Sequence, residues 1–69
     1  MNEEELKKAI NSQPFEPVRI HLSNGASFDV PNPDAILIGG HASAVLVGQG
    51  VQVISNIHVN YVEPIALAH

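Results

Sequence analysis

Apolar and polar residues alternate from Val18 to Leu22 and again from Ala26 to Val30, with Ser23-Asn24-Gly25 between the two runs. A strand turns successive side chains to opposite faces, so Val18, Ile20 and Leu22 share one face and Ala26, Phe28 and Val30 another. If Asn24-Gly25 were a two-residue loop, Leu22 would meet Ser27 and Ile20 would meet Asp29, apolar against polar. A three-residue loop with Gly25 in the left-handed region instead pairs Leu22 with Ala26, Ile20 with Phe28 and Val18 with Val30. The spacing therefore predicts a β-hairpin in that register.

Ahead of it, Leu6, Ala9 and Ile10 recur at helical spacing, and Asn2 with Glu5 forms a capping-box pattern. Glu3 and Glu4 lie at the positive end of the helix dipole, with Lys7 and Lys8 toward the other end. These signals predict a helix over about residues 3–12, stopped by Pro14 and Pro17, with Phe15 anchoring the connection as a core residue. After the hairpin, Pro31-Asn32-Pro33-Asp34 reads as a turn, because neither proline donates to a ladder. Residues 35–38 are all apolar and read as a short strand covered on both faces. A second hairpin follows the Gly39-Gly40 break. It sets residues 43–47 against 51–55 through Gly48-Gln49-Gly50, a three-residue loop that pairs Val47 with Val51 and Val45 with Val53. The last strand is residues 57–62, with Ile57, Val59 and Tyr61 on one face, and residues 64–69 form a short tail.

Short antiparallel strands protect their edges by curling up on themselves. The expected fold is thus mainly β: an N-terminal helix followed by a five-stranded antiparallel SH3-like or Sm-like small barrel over about residues 17–63. At 69 residues the chain is one domain, near the lower limit for a self-sufficient core, and a partner subunit is the expected supplement. Charge sharpens this. The chain carries −4 overall, and residues 35–62 contain no Asp, Glu, Lys or Arg at all. Soluble domains are about one-quarter charged, so part of that neutral surface is expected to face another copy in a homo-oligomer. Three cations are too few for a phosphate-binding surface, which disfavours nucleic acid. The absence of cysteine, of a basic-then-apolar leader and of any apolar run near the roughly 18 residues of a membrane span points to a soluble, cytoplasmic protein.

The stretch from Gln13 through Pro14-Phe15-Glu16-Pro17-Val18-Arg19-Ile20-His21-Leu22-Ser23-Asn24-Gly25 to Pro33 resembles a family of small uncharacterised bacterial proteins. Their pattern is P-F-x-P-hydrophobic-x-I-H-L-x-[DN]-G after a short helix, and it carries no activity. The same residues 18–25 are similar to the first Sm motif, and residues 54–64 can be laid on the second without gaps. That resemblance implies association through strand edges and, as an alternative function, binding of single-stranded RNA. In Sm proteins an Arg-Gly pair and an Asp-x-x-x-Asn form the base pocket. Here Ser55-Asn56 replaces Arg-Gly, Ile38 follows Asp34 where Asn would stand, and Val30-Pro31 replaces the strand-bending glycine.

Candidate chemistry is sparse. His21 and His58 fall on outward faces of the first and last strands, where together they could titrate or ligate a metal; His41 and His69 complete the histidines. None has the spacing of a recognised metal site. Asp34 suits turn chemistry better than a carboxylate pair with Asp29. Gly39-Gly40-His41 and Gly48-Gln49-Gly50 lack the following helix and the lysine of a phosphate loop. His41 and Ser43 lack an oxyanion hole and a third group. Phe28 and Tyr61 read as packing residues rather than base-stacking platforms. The expectation is therefore no enzyme, no cofactor and no metal, with His21, His58, Ser55 and Asn56 as a weak candidate surface on a small-barrel interaction or scaffolding module.

Overall fold

The computed structural model describes residues 1–11 and 14–65. Helix α1 (Glu3–Ile10) begins at the expected cap: Glu5 N–H donates to Asn2 Oδ1 at 2.8 Å, and Asn2 N–H donates to Glu5 Oε1 at 3.2 Å. It ends at Ile10 rather than residue 12, although Asn11 N–H still donates to the Lys7 carbonyl. Leu6 and Ile10 are fully buried, and the Glu3–Lys7 pair at 3.0 Å supports the solvent side. The α-amino group of Met1 donates to the carbonyls of Asn56 and Val59, tying the start of the helix to the far end of the chain.

The first hairpin has the predicted register. Strands β1 (Val18–Leu22) and β2 (Ser27–Val30) pair Val18 with Val30 and Ile20 with Phe28, while Leu22 N–H donates to the Ala26 carbonyl. Gly25 closes the loop at φ 92°, a conformation that side chains disfavour. Pro31 follows β2, and a 3₁₀ turn, Pro33–Ala35, starts where Asn32 Oδ1 accepts from Asp34 N–H. The chain then runs through β3 (Ile36–Ile38), β4 (Ala42–Val47) and β5 (Gly50–Ser55). A second 3₁₀ turn, Asn56–His58, leads into β6 (Val59–Pro64).

Six strands are present, one for each of the runs read along the sequence, rather than the five counted for the barrel. They do not close into a barrel. Two three-stranded antiparallel sheets form instead, ordered β2-β1-β6 and β3-β4-β5. Their inner faces and α1 enclose a core of Leu6, Ile10, Val18, Ile20, Val30 and Val45, with Ala35, Ile54 and Val59 completing it. Phe15 packs against this core, as expected.

Three further expectations change. The β4–β5 connection is a two-residue turn, Gly48-Gln49, with Gly48 at φ 60° and Gly50 already paired to Val47. A positive φ at the first central position only is the type II′ pattern, which matches strand twist. The register therefore differs by one residue: Val45 faces Gln52, and Val53 faces Ala44. Second, β6 starts at Val59, and a bulge opposite His21 and Leu22 changes its phase. Val59 and Val62 point inward, Tyr61 points outward and Ile57 lies exposed before the strand. Third, within a single copy the strand at 36–38 is covered on one face, and Leu37 on the other is left for a neighbouring subunit, if any, to cover. Ile65 N–H donates to the Pro17 carbonyl, and the rest of the tail lies outside the described residues.

Candidate functional site

The outer face of the β3-β4-β5 sheet follows from the β4–β5 register. Leu37, Ala44 and Val53 lie in one cross-strand row, and Leu46 with Val51 in the next. Leu37 is 75% exposed, Leu46 53%, Val51 62% and Val53 64%. The inner face of the same sheet is the buried one, carrying Ser43, Val45 and Ile54. This sheet is thus apolar on both sides, the composition of a sheet covered on both faces. Asp34, Ala35 and Ile36 rim a hollow of about 230 Å³ on the outer face, floored by Leu37, Ala44 and Leu46.

A second concavity, about 650 Å³, lies between the β5 edge and the tip of the first hairpin. Gln52, Val53, Ile54 and Ser55 form one wall; Leu22, Ser23, Asn24, Ala26 and Phe28 form the other; His58 stands at its end. None of these residues carries a fixed charge. Leu22 and Phe28 pack against the core yet remain only half-buried.

Charge instead collects on the outer face of the β2-β1-β6 sheet. Arg19 stands between Asp29 and Glu63, and His21 between Ser27 and Tyr61. Arg19 Nε donates to Asp29 Oδ1 at 2.6 Å and its Nη2 to Oδ2 at 3.3 Å. This hydrogen bond to the guanidinium holds the Asp29 carboxyl below its ordinary range, and the same bond raises Arg19. His21 Nε2 lies 2.6 Å from Glu63 Oε1, and its ring stacks on Tyr61 with centroids 4.3 Å apart.

The four residues suggested by sequence are therefore dispersed. His21 is bound up with Glu63 and Tyr61. His58 is in the 3₁₀ turn rather than on the last strand, its carbonyl accepting from Ser23 N–H, so the two histidines are not strand neighbours. Ser55 is half-buried at the end of β5. Asn56 is not a surface residue: at 1% exposure it accepts from Ser43 Oγ at 2.7 Å and donates through Nδ2 to the Gly39 carbonyl at 2.8 Å. Its own N–H donates to the His41 carbonyl. Ser43, 2% exposed, bonds Asn56, while His41 lies exposed. No group of three or more potential metal-binding side chains occurs among the described residues, and no described helix is long and apolar enough to cross a membrane. His69 lies outside the described residues.

Sequence reasoning expected a neutral surface within residues 35–62 but did not place it on the outer face of this sheet, and it missed the groove. The signal for the face was present in Gly48, which permits a two-residue turn as readily as Gly50 permits a three-residue one. Compared with protein-family models, with curated proteins and with solved structures, the chain matches none.

Proposed function

We propose that this protein is a non-enzymatic small β module that associates with copies of itself through the outer face of β3-β4-β5 and serves as an interaction or scaffolding unit. The observation that carries this reading is the row of exposed Leu37, Leu46, Val51 and Val53 on a sheet whose opposite side is already core. Contiguous apolar patches of this kind mark contact surfaces on soluble proteins.

Charge favours a second copy as the occupant. The three strands carry no Asp, Glu, Lys or Arg. The charged side chains lie on α1, on the outer face of the other sheet, at Glu16 and at Asp34 on the rim. Two copies packed face to face bring only Asp34, at the edge of the hollow, near the contact, and a two-fold arrangement needs only this one self-complementary surface. An anionic lipid or nucleic acid surface finds no cation on the face.

Sedimentation velocity tests the proposal. The wild-type chain should run heavier than its 7.4 kDa monomer, and Leu46→Lys with Val53→Lys should return it to a folded monomer. A wild type that stays monomeric at the highest soluble concentration overturns it. The alternative, single-stranded RNA binding, has weaker support: Asn56, at the motif position, is used internally, and Arg19 is engaged by Asp29. It requires binding to a short RNA that weakens steeply with added salt.

A further inference from the structure

Of the four strands that end a sheet, three are protected. β2 carries Asp29, stops before Pro31 and leans on β4; β6 has a bulge, Glu63 and Pro64; β3 is three residues long and lies beside α1. β5 has none of these devices. It runs six residues, Gly-Val-Gln-Val-Ile-Ser, without charge, proline or register break, and among the described residues it pairs with β4 alone. Proteins blunt free edges of this kind unless something pairs with them. The Val53 carbonyl accepts from the side chain of its own neighbour, Gln52 Nε2, at 3.2 Å.

The groove described above runs beside this edge, and its far wall carries half-buried Leu22 and Phe28. We infer that the groove is a β-augmentation site for an extended, uncharged peptide segment of a partner protein. The segment's backbone would pair with Gln52 to Ser55 while alternate apolar side chains cover Leu22 and Phe28. The neutral lining selects against charged side chains, which would lose hydration there without gaining a partner.

A folded second copy fits this groove poorly. The inward apolar residues of its β5 and β6, namely Ile54, Val59 and Val62, already belong to its own core. Its β5 could offer only Gln52 to the apolar wall. A segment extended on its own has free side chains on both faces. The groove shares Val53 and strand β5 with the self-association face, but it uses the free edge of the strand rather than its outward side chains, so either can fail without the other.

The test uses the full chain, labelled with ¹⁵N, and an acetylated, amidated hexapeptide of alternating Thr and Val. Resonances of 52–55 and 22–26 should shift, including the Gln52 side-chain amide. Exchange of β5 amides should slow by on the order of tenfold at saturation. The same peptide N-methylated at alternate residues, on its pairing edge, should not bind. Three results overturn the inference: no shifts up to the peptide's solubility limit, equal binding of the N-methylated peptide, or, in a Leu46→Lys variant whose outer face is blocked, protection of β5 that rises with protein concentration in the absence of peptide. The last would assign the edge to a second copy.

Discussion

Gln52 stands directly opposite Val45 across the β4–β5 ladder, although one is exposed and the other fully buried. Opposed residues share a side of the sheet, so this pair assigns the even-numbered residues of β5 to the inner face. Val51 and Val53 are thereby sent outward. A one-residue difference in register would exchange every one of these side chains between faces.

The outer face should therefore respond to charge without loss of fold. Lys at position 46 or 53 adds no buried charge to the isolated chain, and its effect on monomer stability should stay within about 0.5 kcal/mol. Thermal unfolding at low protein concentration checks this, beside the sedimentation measurement above.

Turn geometry sorts the glycines. Gly25→Ala and Gly48→Ala should each cost about 1–2 kcal/mol, because both positions have positive φ and nothing within 4 Å to obstruct a methyl group. Gly39→Ala should cost about 1–3 kcal/mol by crowding, since the added carbon would fall 2.5 Å from the Ala42 carbonyl oxygen. Gly40→Ala meets only the Glu3 carboxylate at 3.8 Å and should be close to neutral. Urea unfolding of the four variants gives the ranking.

Asn56→Ala should destabilise by about 1–3 kcal/mol, because it strands the buried Ser43 hydroxyl and frees the partly buried Gly39 carbonyl. Ser43→Ala alone should cost less. In a double-mutant cycle the two changes should be less than additive, as expected for directly bonded partners.

Asp29 provides a pH signature. Its carboxyl is held below the ordinary value by Arg19, so the pair's contribution is present above the unfolded pKa of about 3.9 and is lost as pH falls through the lower folded value. Asp29→Asn should remove that part of the acid-side decline, leaving a flatter stability profile below about pH 4. Denaturation midpoints between neutral and acid pH measure it.

What could be read along the chain was what neighbours in sequence decide. The Asn2–Glu5 cap, the Leu6/Ile10 stripe and the Val18–Val30 hairpin register each rest on residues a few positions apart, where periodicity and turn chemistry leave one solution. Even there, the exit of α1 is shorter than the pattern suggested. The histidine surface was not legible in the same way, because cross-strand neighbours depend on phase. The β1–β6 register gives His21 Tyr61 and Glu63 for company, and a 3₁₀ turn holds His58 off the strand.

By itself, then, the sequence determined a capped helix, a hairpin of known register and a neutral second half poor in chemistry. Only the tertiary structure decided that the strands form two open sheets, that Gly48-Gln49 and not three residues makes the second turn, and that Asn56 is interior. Gly48-Gln49-Gly50 admits either turn locally. The choice depends on whether Ser43, Val45 and Ile54 fit against Ile20, Val30 and Leu6, residues remote in sequence whose packing no local pattern encodes.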